Sequence, residues 1–235
     1  MLRTLETHHP LSSGDRAAIL GLPFKLRIVE PQSYLVREGD RPDRCAVLLS
    51  GYAFRHKVTG EGHRQILSIN IPGEALDFQN LFIGESDHNV QMLTRGDVAE
   101  IPMHSIEELV LAQPQVGRAV LTMSLIEASI FREWAVNVGR RDARSRIAHL
   151  LCEFAYRLSL HGIQTNGGYE LPMTQEQLAD ATGLTSVHVN RVLKALEAEG
   201  LIDRDRRFVS FPDWRRLREV GDFNARYLHP LEYQA

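Results

Sequence analysis

The spacing of hydrophobic and polar residues divides the chain into a strand-rich first part and a helical second part. Between residues 24 and 103, short apolar or alternating runs are separated by turn-forming sequences such as EGD, TGEG and IPGE. A turn about every 10 residues indicates many short antiparallel strands, and therefore a sandwich or barrel. We predict strands near residues 26–29, 34–36, 45–49, 52–58, 64–69, 89–93 and 97–101. A short helix over 11–22, capped by Ser12 or Ser13, precedes them.

Residues 105–138 have the periodicity of helices, with a break near Pro114. Beyond the break, apolar side chains cover an arc of roughly 220°, which is wider than the stripe of a helix lying on one surface. One flank contains Val116, Ala119, Met123, Ile126 and Ile130, and the other contains Leu121, Ala128, Phe131, Ala135 and Val138. The two flanks predict a helix covered by its own β domain and by a second copy of the chain. A central core helix in a monomer is the alternative.

The segment PMTQEQLADATGLTSVHVNRVLKALEAEG carries the most specific pattern in the chain. Thr174 and Gln177 have the spacing of a capping box, in which each side chain bonds the backbone amide of the other residue. Gly183 is the residue preferred where a helix ends in a left-handed turn. Thr185 can cap a second helix that extends to about Glu199. The segment therefore predicts two helices joined by a tight turn.

The residue types within these two helices fit a helix-turn-helix. A small residue stands where the helices cross, glycine stands at the turn, and aliphatic residues lock the second helix onto the first. The residues concerned are Ala179, Gly183, Leu184, Val189 and Val192. A helical hairpin inside an ordinary bundle and a winged helix that binds only proteins are the alternatives.

The outward face of the second helix is polar and suits the major groove of DNA. We expect Arg191 to donate a fork of hydrogen bonds to guanine O6 and N7, Asn190 to read a base edge, and Val187 to contact a thymine methyl group. Thr174 and Gln175, at a helix N-terminus, are placed to bind a phosphate oxygen. The predicted DNA-binding residues are Thr174, Gln175, Thr185, Ser186, Val187, His188, Asn190, Arg191 and Lys194.

Further elements flank this motif. An amphipathic helix over about 143–160 follows the sequence GRRD, and a turn-rich loop over 161–170 has a short strand at its end. A two-stranded wing is predicted for 200–213, turning at Asp205–Arg206. Its arginines, which are Arg204, Arg206 and Arg207, are either contacts to a nucleic-acid backbone or solvated side chains. Residues 212–235 have the pattern of a helix and an ordered tail, with no assigned function.

Composition and charge narrow the class of protein. The chain has 235 residues and a formal net charge of −3. Residues 140–235 carry 14 basic against 13 acidic side chains, whereas residues 1–139 carry 13 against 17. All but one of those 14 are arginine, the better residue for forked contacts to phosphate and guanine. No apolar run approaches the ~18 residues of a membrane span, and no secretory signal is present. A cytoplasmic protein with no membrane partner is therefore expected.

These features together resemble the Crp/Fnr superfamily of bacterial transcription regulators over nearly the whole chain. The strand-rich part, including VAEIP at 98–102, is similar to the β-roll of that family, and GRRD is similar to its hinge. The resemblance implies an α+β fold with an N-terminal antiparallel β-roll of the cyclic-nucleotide-binding kind, a long dimerisation helix and a C-terminal winged helix-turn-helix. The expected domains are 1–114, 115–139 and 140–235.

The resemblance also implies a function and partners. The chain is expected to be a homodimer that binds a palindromic site on double-stranded DNA, with half-sites about 34 Å apart. It is expected to contact RNA polymerase and to respond to an unidentified effector through the β-roll. No enzymatic activity is expected.

Two departures from the family pattern carry information. Members that bind cyclic AMP hold its phosphate with an Arg-Ser pair that follows a Gly-Glu-Leu-Gly stretch. Here the matching positions are Asp77, Phe78, Gln79 and Asn80, then Ser86–Asp87, and a shifted match gives Glu74 the ribose role. No arginine occurs within 71–94, and burying an unpaired phosphate costs on the order of several kcal/mol. Cyclic AMP is therefore not the expected effector. In the recognition helix, Val187 replaces a glutamate of well-known members, so a different DNA sequence is expected.

No cofactor or metal is predicted. Cys45 and Cys152 are too few for the iron–sulfur cluster of oxygen-sensing relatives. The histidines, among them His8, His9, His56, His63 and His88, leave open a haem- or small-molecule-sensing regulator of the same family. A cupin-like metal-dependent enzyme is the alternative from another class. It needs closely spaced histidine and glutamate on one strand, which residues 45–103 lack.

Overall fold

The strand-rich part folds into eight strands in a computed structural model, which describes residues 1–163 and 167–230. The strands are β1 (Lys25–Val29), β2 (Tyr34–Val36), β3 (Arg44–Leu48), β4 (Ala53–Val58), β5 (Arg64–Asn70), β6 (Ala75–Leu76), β7 (Asn89–Met92) and β8 (Gly96–Pro102). They form two sheets with the orders β1-β8-β3-β6 and β2-β7-β4-β5. Seven strands match the prediction to within one residue at either end. The strand β6, with two residues, is too short to show a periodicity.

Two apolar layers stabilise this β-roll. Side chains of both sheets meet in the first layer, whose buried members are Val29, Val36, Leu48, Ala53, Leu76, Val90, Met92 and Val98. The second layer joins strand residues such as Val47 and Ile101 to helix residues such as Ile19, Ile106 and Val116. Because successive side chains of a strand point to opposite faces, the neighbours Val47 and Leu48 enter different layers.

Five helices accompany the strands. They are α1 (Leu2–Glu6), α2 (Ser13–Leu20), α3 (Asn80–Ile83), α4 (Met103–Ala112) and α5 (Pro114–Arg140). Ser12 caps α2 and forms a capping box with Asp15, which confirms the predicted helix and decides between its two candidate caps. The predicted break near Pro114 separates α4 from α5. The short helices α1 and α3 were not predicted.

The long helix α5 has one apolar flank whose members are buried or half-buried and a second, more exposed flank whose members are half-buried or exposed. Val116, Ala119 and Ile126, from the first of the two predicted flanks, are buried. Leu121 and Leu125 are 58% and 60% exposed. Large apolar side chains in an exposed row are typical of a surface that another molecule covers.

The remaining elements form a winged helix. They are α6 (Ala143–Leu160), β9 (Gly168–Glu170), α7 (Gln175–Thr182), α8 (Ser186–Ala198), β10 (Asp203–Asp205), β11 (Phe208–Ser210), α9 (Trp214–Val220) and a 3-10 turn (Ala225–Leu228). The strands form a sheet of order β10-β11-β9. The helix predicted over 143–160 is confirmed, and the wing turns at Arg206, whose φ is +55°. Residues 164–166 of the predicted loop and 231–235 of the predicted tail lie outside the described residues.

Two compact units divide the described chain. The first contains Met1–Lys57, Ser68–Ser129 and the described residues 229–230, and the second contains Val58–Leu67 and Ile130–Leu228. The helix α5 contributes to both, and the domain boundaries expected near residues 114 and 139 stay a prediction. Within the described residues, no single helix has the length and apolar composition to cross a membrane. The pair α4 and α5, bent by 118° at their break, meets that criterion only when taken together.

The two cysteines are core residues, one in each unit. Cys45 and Cys152 are both buried. Burial raises the pKa of Cys45 to about 12. Burial also raises the pKa of Cys152. Both thiols are therefore protonated near neutral pH, in the form that is a poor nucleophile.

Candidate nucleic-acid interface

The helix α7 begins and ends as its sequence predicts. The Thr174 hydroxyl accepts a hydrogen bond from the backbone amide of Gln177 at 3.2 Å, and the Gln177 side chain accepts one from the amide of Thr174 at 2.8 Å. Gly183 ends the helix in the left-handed region, with φ of +64°. A Cβ atom at this position would lie 3.2 Å from Val138 Cγ1. Two features therefore favour glycine at this position: the left-handed backbone conformation and the close approach of α5.

The recognition helix α8 is locked onto α7 by its apolar face. Thr185 caps it by accepting a hydrogen bond from the amide of His188 at 3.2 Å. Val189 and Val192, which are predicted to lock this helix onto the first, are buried, and so are Leu193 and Leu196 on the same face. Leu178 and Ala179 of α7 are buried as well. The orientation of α8 therefore leaves the opposite face to solvent.

Six of the nine predicted DNA-binding residues line one shallow concavity at the start of α8. They are Gln175, Ser186, Val187, Asn190, Arg191 and Lys194. Val187 is 79% exposed, a large exposure for an aliphatic side chain. The other three are Thr174 and Thr185, whose hydroxyls serve as helix caps, and His188, which is half-buried.

The charges on this face are open to an external partner. In the described part of the chain, neither Arg191 nor Lys194 forms an ion pair or a side-chain hydrogen bond, and both are exposed. The wing differs. Arg204 donates to Glu197 at 2.5 Å and is half-buried, whereas Arg206 and Arg207 are exposed. The hydrogen bond from Arg204 lowers the pKa of Glu197. Of the three wing arginines, Arg204 is thus engaged within the protein.

Known proteins match both parts of the chain. A family model described as the Crp-like helix-turn-helix domain matches residues 145–220, and one described as the cyclic nucleotide-binding domain matches residues 26–113. The chain is 30% identical over 198 residues to the transcriptional activator protein FnrL of Cereibacter sphaeroides, covering 80% of this chain and 77% of that protein. The chain belongs to the Crp/Fnr superfamily of transcription regulators.

The chain is similar to a second curated activator and, in its fold, to a solved structure. The transcriptional activator protein FnrA of Stutzerimonas stutzeri is 26% identical over 203 residues, covering 86% of this chain and 83% of that protein. The structure of FixK2 from Bradyrhizobium japonicum has a TM-score of 0.80 at 21% identity and covers 87% of this chain and 100% of that chain. The predicted fold class and the helix-turn-helix are therefore confirmed. Regulators of this family bind DNA through that motif and act as dimers.

The β-roll of this Crp/Fnr protein contains a buried arginine that the sequence did not reveal. Arg55, on β4, is 1% exposed. Its Nε donates to Asp77 Oδ1 at 2.9 Å, and its Nη1 donates to Glu127 Oε1 of α5. Residues 71–94 contain no arginine, and the buried arginine of the β-roll comes instead from β4. The carboxylates of Asp77 and Glu127 already neutralise its charge.

A histidine completes this cluster. His88 is buried, with Nε2 3.0 Å from Asp77 Oδ1 and Nδ1 2.7 Å from Asp87 Oδ1. Carboxylates accept hydrogen bonds, so both ring nitrogens must donate, as only the protonated ring can. Burial alone would lower the pKa of His88, but the hydrogen bonds and charges of Asp77 and Asp87 raise it above its ordinary value. Burial would raise the pKa of Asp77, but the charge of Arg55 and the bond from His88 hold it low.

Other polar groups of the same region are engaged within the protein. The Glu74 carboxylate accepts from the amide of Ile71 at 3.1 Å and from the side chain of Asn70 at 3.2 Å. The Ser86 hydroxyl donates to the carbonyl of His88 at 2.9 Å. The positions considered for a ribose and a phosphate therefore hold side chains that already bond the chain itself.

Proposed function

We propose that this protein regulates transcription as a homodimer that binds a palindromic site on double-stranded DNA, with α8 of each copy in a major groove. The observation that carries this proposal is the exposed face of α8, where Arg191 and Lys194 lie beside short polar side chains. A phosphate or a base edge is the partner that such a face fits. The half-sites would lie about 34 Å apart.

Each residue of the face has a proposed role. Arg191 donates to guanine O6 and N7, Asn190 reads a base edge, and Val187 packs on a thymine methyl group. Lys194, Ser186 and His188 supply further contacts to bases or phosphates. Thr174, Gln175 and Thr185 stand at helix N-termini, where backbone amides favour a phosphate oxygen.

The exposed flank of α5 is the proposed dimer interface. Leu121→Glu should shift the sedimentation mass toward the monomer, because it places a charge in an apolar interface that both copies share. Leu111→Glu is the matched control, since Leu111 is 83% exposed and lies on α4. Ile126→Glu is unsuitable for this test because Ile126 is buried within the single chain. An unchanged mass for Leu121→Glu would place the interface elsewhere.

We also propose RNA polymerase and an effector as partners. Contact with RNA polymerase is supported by the names of FnrL and FnrA as transcriptional activators. An effector acting through the β-roll is supported by the match of that region to the cyclic nucleotide-binding domain. The internal neutralisation of Arg55 disfavours cyclic AMP as this effector, because, among the described residues of the β-roll, its phosphate would find no buried cation without a carboxylate partner.

Selection of bound sequences from random DNA tests the proposal directly. We expect a palindromic motif and footprint protection over two half-sites. The logarithm of affinity should fall linearly with the logarithm of salt concentration, since bound cations release counterions from DNA. Failure to enrich any motif, together with an affinity that does not depend on salt, would reject the proposal.

A further inference from the structure

A buried carboxylate joins three elements at the base of the winged helix. Glu153 of α6 is 1% exposed. Trp134 Nε1 of α5 donates to both of its oxygens, at 3.1 and 3.0 Å, and the Tyr227 hydroxyl donates to Oε2 at 2.7 Å. Burial, and then the charge of Glu153, raise the pKa of Tyr227, so the phenol keeps the proton that it donates. The C-terminal turn is thereby bound to both helices.

A second contact lies at the connection between α5 and α6. Arg141 is one of the two residues in that connection, and its side chain is 9% exposed. Its Nη2 donates to Glu133 of α5 at 2.6 Å and to Asp222 of the C-terminal segment at 3.0 Å. The hinge arginine is therefore held from both sides, by the long helix and by the segment after α9.

The C-terminal segment is seated closely on α6. His149 is 1% exposed, its Nδ1 donates to the carbonyl of Gly221 at 3.0 Å, and its ring stacks on Tyr227 at 5.8 Å between centroids. Phe223 meets the same ring edge-on at 5.4 Å. A Cβ atom at Gly221 would lie 2.7 Å from the backbone nitrogen of His149. These contacts fix the segment in one position on the helix.

The same hinge carries the DNA-binding motif. Arg146 of α6 donates to the carbonyl of Thr182 at the end of α7 at 3.0 Å and to the carbonyl of Arg141 at 2.8 Å. The angle between the end of α5 and the recognition helix therefore depends on how the connection at 141–142 is held. The match to the Crp-like helix-turn-helix model ends at residue 220, so Asp222 and Tyr227 lie beyond it.

We propose that residues 221–228 act as a clamp, with Asp222 and Tyr227 as positioning residues that fix the hinge and so set the half-site spacing that the dimer accepts. This inference rests on the proposed binding of a dimer to two half-sites. Each added base pair moves a half-site by about 3.4 Å and rotates it by about 35° around the DNA. A dimer whose hinges are fixed cannot move its recognition helices to the shifted half-sites, whereas a dimer whose hinges are loosened can.

The test compares DNA sites whose half-sites are separated by the selected spacer or by a spacer one base pair longer or shorter. Wild type should prefer the selected spacer by about tenfold or more, the discrimination that one well-placed contact supplies. Tyr227→Phe and Asp222→Ala should each reduce this preference to about threefold or less, because each removes a hydrogen bond to a charged group. Binding to a single half-site should not change.

Tyr169→Phe is the matched control. Tyr169 is a buried tyrosine of the second unit, whereas Tyr227 is half-buried, and the Tyr169 hydroxyl donates to the carbonyl of Leu151 at 3.1 Å, away from the hinge. A merely structural role for the clamp would lower the melting temperature and weaken binding to all spacers equally, in clamp variants and control alike. That outcome, or an unchanged spacer preference in both clamp variants, overturns the proposal.

Hydrogen exchange in the absence of DNA separates this proposal from the function on which it rests. Amides of residues 139–146 should exchange faster in Tyr227→Phe and Asp222→Ala than in wild type or Tyr169→Phe. If wild type binds no specific DNA, the proposed function fails, and the spacing role fails with it. If wild type binds but the hinge amides exchange equally in all four proteins, only the clamp is rejected.

Discussion

Arg55 in the β-roll and Arg191 on the recognition helix are the same residue in opposite settings. Arg55 is 1% exposed and is held by Asp77 and Glu127. Arg191 is exposed and, within the residues that the structure describes, has no ionic partner. A buried guanidinium requires anions from the same chain, because an unpaired charge would not recover the free energy that it loses on leaving water. Arg55 is thus neutralised by its own unit, whereas Arg191 faces solvent.

The largest expected effect is on stability, and it comes from replacing Arg55, the buried arginine. Arg55→Met removes the cation that Asp77 and Glu127 share and should lower the free energy of unfolding by ~3–5 kcal/mol. Arg41→Met is the control, since Arg41 pairs with Glu85 at the surface, where an ion pair contributes about 0–1 kcal/mol. Urea denaturation measures both. Equal losses would show that the buried cluster is not a stabilising unit.

Removing the exposed arginine should affect binding and leave the fold unchanged. Arg191→Ala should cost ~1–3 kcal/mol of specific binding in each half-site, because a forked contact to guanine is lost. Arg215→Ala removes another exposed arginine, which among the described residues pairs with Glu219 one turn away, and should leave specific binding intact. Titrations of the selected site and of random DNA measure the difference. Retained specificity in Arg191→Ala would disprove the base-reading role.

Two buried histidines should respond to pH in opposite directions. The pKa of His88 is raised in the folded protein, so its stabilising contribution is complete below about pH 6.5 and is lost as pH rises through the folded value. Burial lowers the pKa of His149, so stability falls as pH drops below about 6.5. Unfolding of His88→Gln and His149→Gln between pH 5 and 8 tests this. Parallel curves for wild type and either variant would contradict the assignment of that histidine.

The smallest expected effect is that of cyclic AMP on thermal stability, where we expect no change. Excess cyclic AMP should leave the melting temperature of the protein unchanged, because the one buried arginine of the β-roll in the described chain is already neutralised. A ligand that binds the folded state raises stability by mass action. A rise that grows with the logarithm of cyclic AMP concentration would show that the cluster around Arg55 opens for an anion.

Local patterns predicted most of the fold and the recognition face. Strand positions follow from turn residues and alternation, and both helices of the motif follow from caps such as Thr174 and Thr185, which act within three residues. The inward set on α8 follows from its helical period. Such signals lie within a few positions of each other, so a single sequence contains them in full.

The clusters of buried charge could not be predicted, because their members are distant in sequence. Arg55 and Glu127 are 72 positions apart, and Glu153 and Tyr227 are 74 apart. A charged residue in the middle of a strand such as β4 is ordinarily a solvent-facing residue. Only the folded chain shows that Arg55 points inward and that the C-terminal segment reaches the hinge.

The two buried thiols offer a way to follow each unit by its own chemistry. In the folded protein, neither Cys45 nor Cys152 is accessible to an alkylating reagent. Each thiol becomes reactive only when the core around it opens. Cys45 lies in the first unit and Cys152 in the second. The mass of each labelled peptide over time would therefore record two separate opening rates from a single unmodified sample, with no probe attached.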